Sequence, residues 1–191
     1  MQHARRRRII LASESPRRIA LMSMLGYEFE AVASGADETV PEDVDPTEAA
    51  VLLACRKARA VAARYPHAVV VGADTLVVCG RTILGKPADE DEALCMLEML
   101  SGRSHRVITG LCAIADDCER QAAEVTRVFF SDMTPEQRRA YVATGEPFDK
   151  AGAYGIQGSA GRFIRRIEGC YNNVVGLPLA ALDSLIGPLL V

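Results

Sequence analysis

The sequence lacks a long uncharged apolar run of the kind that spans a bilayer. Its N-terminal stretch lacks the apolar h-region and small-residue cleavage site of a secretory signal. A cytoplasmic protein without a membrane partner is therefore expected. The six cysteines, Cys55, Cys79, Cys95, Cys112, Cys118 and Cys170, contain no CxxC pair and mostly sit in apolar periodic segments, as small hydrophobes in a reducing compartment do. No HxxxH, HExxH or Cys/His cluster suggests zinc. GxxxxGK[ST] and GxGxxG are absent, which removes both standard nucleotide fingerprints, and the absence of GxSxG weakens a serine-hydrolase reading. Positive charge is also in short supply. A net charge of -3 argues against a broad nucleic-acid-binding surface, and the local run Arg5 to Arg8 reads as a solvated tail leading into a strand. There is no internal repeat, low-complexity tract or obvious linker.

What is present is ordinary globular material: 191 residues, 49% hydrophobic and 25% charged, enough for one substantial domain or two small lobes. Ile9 to Ala12 reads as a short buried strand, Pro16 to about Leu25 as a helix, and Phe29 to Ala33 as a second strand. An acidic loop, 35 to 45, carries Asp37, Glu38, Glu42, Asp43 and Asp45. It leads into a helix with Asp45 as N-cap, Pro46 in the first turn and Glu48 completing a capping-box-like pattern. That helix runs to about Tyr65 with Val51, Cys55, Ala58, Ala62 and Tyr65 as its apolar stripe. Ala68 to Cys79 is apolar on both faces, as in a central strand. Gly80 and Arg81 turn into Thr82 to Leu84, and Asp89 to Leu100 has helical spacing. Arg106 to Ala115 and Ala122 to Phe130, joined through the polar 116 to 121 segment, suggest an antiparallel ribbon. Thr134 to Thr144 is helical. Gly145 to Gly161 holds five glycines and is long and irregular, which in a compact domain points to function or disorder. A strand near Phe163 to Ile167 and a helix from about Leu177 end the chain.

Three features carry chemistry. In LASESPRRI, Ser15 suits an N-cap and Pro16 the first helical position, where exposed backbone N–H groups make a positive site. Arg17 and Arg18 add charge of the same sign, a conflict that a bound anion such as phosphate resolves. The other reading is two surface arginines beside a plain cap. Asp74 stands in the apolar strand and needs compensation, since a buried carboxylate costs several kcal/mol when unpaired. Lys86 is one candidate partner, and Glu38 another, through a shared divalent cation; a structural salt bridge or turn amides remain open. Lys57 lies at the edge of the helical stripe, beside Ala54 and Val61, where a lysine ordinarily snorkels, and His105 reads as a hydrogen-bonded structural residue. Together these point to a phosphorylated ligand and a divalent metal, without choosing a reaction.

The blocks SESPRR, GADT, GKP, LSGRSHRVITG, GEPFDKAGAYGIQG and NNVVGLP, in that order, resemble the Maf nucleotide pyrophosphatases. The resemblance reaches from the first strand to the last helix. It implies an α/β fold similar to the inosine-triphosphate pyrophosphatases: an extended mixed sheet flanked by helices, a single domain over 1–191 with two lobes about a cleft. It implies hydrolysis of a nucleoside triphosphate to the monophosphate and pyrophosphate with a divalent cation, Mg²⁺ or else Mn²⁺ or Co²⁺, and commonly a homodimer. Asp74 then matches the catalytic acid-base residue near the metal, and Glu38 a carboxylate that helps bind metal or water. Ser13, Arg17, Arg18, Lys57 and Lys86 match the phosphate-contacting set. Arg17, Thr75 and Gln157 match the positions that mark the branch acting on dTTP and UTP. A sister branch acting on 7-methyl-GTP carries a carboxylate at the glutamine position. A nucleotide-binding regulator of septum formation is the reading from a different class.

Overall fold

In a computed structural model, which describes residues 7–40 and 43–190, the chain forms a seven-stranded mixed sheet with helices. Arg5 and Arg6 of the basic run and Glu42 of the acidic loop lie outside the described residues. The strands are β1 (Ile9–Leu11), β2 (Phe29–Ala31), β3 (Val69–Cys79), β4 (Thr82–Leu84), β5 (Ser104–Ala115), β6 (Cys118–Phe130) and β7 (Ile164–Glu168). The helices are α1 (Pro16–Ser23), α2 (Pro46–Ala62), α3 (Glu90–Leu100), α4 (Pro135–Val142), α5 (Tyr171–Val175) and α6 (Leu179–Ile186). Strand order is β2-β1-β3-β5-β6-β7, with β4 paired to β3. β1 is parallel to β2 and β3, whereas β4 is antiparallel to β3 and β7 to β6. Among the described residues no helix is long and apolar enough to cross a membrane.

The chain divides into two compact units. The first comprises 1–74, 109–124 and 176–191. Its core packs Ile10, Val70 and Cys112 of the sheet against Ala54, Cys55, Ala58 and Val61 of α2. Two glycines allow that approach. A Cβ on Gly72 would lie 2.2 Å from the Ala54 carbonyl oxygen, and one on Gly110 would lie 2.3 Å from the Ala50 carbonyl, so α2 rides directly on the backbones of β3 and β5. Asp45 starts α2 by accepting a hydrogen bond from the Thr47 N–H, a cap worth about 1 kcal/mol.

The second unit comprises 75–108 and 125–175. Its core gathers Val77, Leu97, Leu100, Val107, Val128, Phe130 and Tyr141, each aliphatic member worth about 1.5–3 kcal/mol relative to exposure. Thr134 and Gln137 form a reciprocal capping box at α4. His105 is structural, as its isolation in the sequence suggests. It is 2% exposed, its Nε2 lies 2.7 Å from the Tyr154 hydroxyl, and its ring packs edge-on against Phe130. Burial pushes its pKa down to about 4.

Several expectations change. The polar 116 to 121 segment is not a connector, because only residues 116–117 turn and strand pairing resumes at Cys118 with the polar side chains exposed. The buried face of α2 is rotated from the expected stripe. Ala49, Ala50, Leu53, Ala54, Cys55, Lys57, Ala58 and Val61 are buried, so Cys55 and Ala58 of the expected stripe are in place, while Val51, Ala62 and Tyr65 are half-buried. Cys95 and Cys118 are exposed and do not pack as hydrophobes. The helix α5 went unforeseen, its five residues being too few to show periodicity.

Candidate active site

The first unit collects most of the named polar residues, Ser13, Arg17 and Arg18 just after β1, Glu38 in the acidic loop, Lys57 on α2 and Asp74 midway along β3. Asp74 follows the buried run 69–73 and is 8% exposed. Its partner is Lys57, not the nearer-in-sequence candidate Lys86. Lys57 Nζ donates to Asp74 Oδ1 at 2.5 Å and lies 2.6 Å from Glu38 Oε1. Lys57 is 5% exposed and does not snorkel, because the rotation of α2 turns it toward β3, where the two carboxylates replace its water. Glu38 remains largely exposed, so one ammonium joins a buried carboxylate to a surface one.

The arginine pair belongs to the same charge group. Burial holds the Arg18 guanidinium below the usual arginine range, while the carboxylates of Asp74 and Glu38 oppose that effect and Arg17 adds to it. Arg18 Nε donates to the Gly176 carbonyl at 3.0 Å, tying the start of α1 to the turn before α6. Arg17, Arg18 and Lys57 outnumber Asp74 and Glu38, so the group is net positive and suits a polyanion. Ser15 is at the N-cap position but its side chain makes no cap hydrogen bond. Its N–H donates instead to the buried Ser13 Oγ at 3.2 Å, which fixes the turn between β1 and α1.

The other named residues lie in the second unit. Thr75 is half-buried on β3, and Lys86 is exposed in the segment after β4. That segment is held by the Gly152 N–H, which donates to the Gly85 carbonyl at 2.9 Å. Gln157 is exposed in the glycine-rich stretch, which proves to be ordered as three short 3-10 turns, 146–149, 151–153 and 159–163. Glu146, which sequence reasoning did not single out, organises it. Its carboxylate accepts from the Ser159 N–H at 2.9 Å, the Ser159 hydroxyl at 2.8 Å and the Tyr141 hydroxyl at 3.0 Å. A Cβ on Gly158 would fall 1.9 Å from Glu146 Oε1, so glycine beside Gln157 leaves room for this carboxylate in its hydrogen-bonded position. The only hint in the sequence is that Glu146 belongs to the same motif block, as its second residue.

Asp74 and Glu38 offer oxygen donors that converge on one cation, Lys57 Nζ. Two carboxylates supplemented by phosphate oxygens and water form a donor set suited to Mg²⁺, which rarely takes an all-protein cage. Asp74 can also accept a proton from water, and the three cations can neutralise phosphate oxygens.

Residues 8–188 match the family model described as Maf-like protein. A protein of Geobacillus sp. (strain WCH70) named dTTP/UTP pyrophosphatase is 53% identical over 174 residues, covering 91% of this chain and 94% of its own. One of the same name from Pelotomaculum thermopropionicum is 50% identical over 181 residues, covering 93% and 94%. Among solved structures, that of the Staphylococcus aureus Ham1 protein is similar over 65% of this chain and 72% of its own, at 14% identity and a TM-score of 0.47.

Proposed function

The chain belongs to the Maf family, and from that premise we propose that it hydrolyses dTTP, UTP and related pyrimidine nucleoside triphosphates to the monophosphate and pyrophosphate. The observation that carries the proposal is the Lys57 ammonium bridging Asp74 and Glu38 beside Arg18. A buried acid-base carboxylate set among cations serves hydrolysis of a polyphosphate better than simple retention of one.

In the proposed reaction Asp74, as a carboxylate, takes a proton from water while the water oxygen attacks the α-phosphorus. The bond from that phosphorus to the α,β-bridging oxygen breaks, and pyrophosphate leaves with the negative charge. Lys57 keeps Asp74 oriented throughout, as the hydrogen bond between them requires. Ser13, Arg17, Arg18, Lys57 and Lys86 contact the phosphates and offset the charge that builds on the leaving group. A divalent cation, Mg²⁺ in the first instance, would be held by Asp74 and Glu38 and would supply further neutralisation of the triphosphate. Arg17, Thr75 and Gln157 set nucleotide choice, Gln157 because its amide offers both the donor and the acceptor that a uracil or thymine edge needs. The same premise extends to one domain over 1–191, a homodimer and a cytoplasmic location.

Incubation of the protein with dTTP, UTP and 7-methyl-GTP in Mg²⁺, with separate assays for pyrophosphate and orthophosphate, tests this. Pyrophosphate from dTTP and UTP is expected. Faster turnover of 7-methyl-GTP would replace the substrate assignment, release of single phosphate would replace the reaction, and nucleotide retention without product would favour a binding regulator.

A further inference from the structure

Cys55 on α2 is distant in sequence from Cys112 on β5 and Glu119 on β6, which face each other across one hairpin, and all three lie outside the charge group around Asp74. Their ligand atoms, two sulfurs and a carboxylate oxygen, all lie within 4.8 Å of one another. Tetrahedral zinc, with bonds of about 2.0–2.3 Å, places such atoms about 3.5–3.8 Å apart, so small side-chain movements close the geometry. Both cysteines are buried and the carboxylate stands at the surface, which leaves an approach from one side. Of the three, Cys55 also lines a groove of about 380 Å³, together with Leu52, Arg59 and Gln121 among others. The carboxylate is already oriented. Arg59 Nε and Nη2 donate to its two oxygens at 2.8 and 2.7 Å, and the Gln121 amide donates to Oε1 at 2.7 Å. Neighbours that hold a ligating carboxylate in this way tune metal sites generally.

We propose that Cys55, Cys112 and Glu119 bind one zinc-type thiophilic divalent cation, with a water or a small ligand from the groove in the fourth position. The ion would clasp α2, the helix that carries Lys57, onto β5 and β6 of the first unit. Two thiolates and one carboxylate favour Zn²⁺ or Cd²⁺ over Mg²⁺, which separates this site chemically from the Asp74 and Glu38 oxygens. The proposal does not depend on the reaction assigned above.

The test titrates the reduced full-length protein with Cd²⁺ and follows the ultraviolet charge-transfer absorption that only thiolate coordination produces. One equivalent is expected to saturate it, Zn²⁺ to displace it, and thermal unfolding to move upward with either ion. Cys112→Ser should abolish the absorption and the thermal shift. Glu119→Gln, a surface change that replaces the anionic ligand by a neutral amide, should weaken binding while keeping the thiolate absorption at saturation. Asp74→Asn and Cys118→Ser should leave both signals unchanged. Absence of thiolate absorption in the wild-type protein, or its survival in Cys112→Ser, would overturn the assignment.

Discussion

Lys57 donates to Asp74 at 2.5 Å across 17 residues of sequence, from a helix to the strand beneath it, with both side chains buried. Removing one partner of such a pair strands the other's charge, whereas removing both does not. Lys57→Met is therefore expected to lose most turnover and about 3 kcal/mol of stability. Asp74→Asn should lose as much turnover but less stability, because Glu38 still pairs with Lys57. In the double variant the stability losses should fall well short of additive while activity stays absent. Paired denaturant melts and pyrophosphate assays measure this, and strictly additive losses would count against a coupled pair.

Arg18 acts through two features at once, its charge and the Nε donation to the Gly176 carbonyl. Arg18→Lys keeps the first and loses the second, since an ammonium cannot reproduce the fork. Turnover is expected to fall about tenfold or more and stability by about 1.5–3 kcal/mol, comparable to losing a charge-assisted contact. Wild-type kinetics in this variant would reduce Arg18 to a point charge.

Specificity should move with Gln157. The side chain is exposed, so Gln157→Glu is expected to leave folding intact while lowering kcat/KM for dTTP and UTP, because a carboxylate cannot donate to the base edge. Replacing Arg17 should change the ratio among nucleotides as well as the rate. Equal losses for every nucleotide would leave Arg17 as a phosphate contact alone.

Acid should weaken the second unit through His105. Its folded pKa of about 4 lies below the ordinary value of about 6.5, so between those limits the unfolded chain binds the extra proton and stability falls as pH is lowered. The full loss is about 3 kcal/mol, reached below pH of about 4 and absent above about 6.5. Denaturation curves at intervals across this window should show that slope in the wild type, reduced in His105→Gln. Parallel curves would remove His105 as the cause.

Gly72→Ala places a methyl group against the Ala54 carbonyl, where no Cβ fits at 2.2 Å. The helix that carries Lys57 must then lift from β3. Loss of turnover is expected together with destabilisation of about 1–3 kcal/mol, the usual range for overpacking. Unchanged activity would show that the Lys57 to Asp74 contact tolerates a displaced helix.

Much of the architecture was legible because it rests on local rules. Pro16, Asp45 with Pro46, and Thr134 with Pro135 marked helix starts at or beside their observed positions. The two-sided apolar run 68–79 identified the central strand, observed as Val69–Cys79, and Asp74 stood out because an acid in such a run demands a partner. Periodicity was less able to place the buried face of α2. A lysine counts as polar in any pattern, so Lys57 falls at the edge of the expected stripe although the fold buries it. Ser15 has the type and position of a cap, but its side chain makes no cap hydrogen bond and its own N–H donates to the Ser13 hydroxyl.

The sequence alone thus determined the kinds of element, their order, the need to compensate Asp74 and the presence of an anion-seeking arginine pair, because each follows from residues a few positions apart. Only the tertiary structure decided that the compensation comes from Lys57, that Arg18 reaches Gly176, and that Cys55, Cys112 and Glu119 converge. The first two of those contacts join residues 17 and 158 positions apart, and the third brings Cys55 of α2 to the hairpin that carries Cys112 and Glu119. Pairings at such range are set by strand order and by the close seat of α2 on Gly72 and Gly110, which no local pattern encodes.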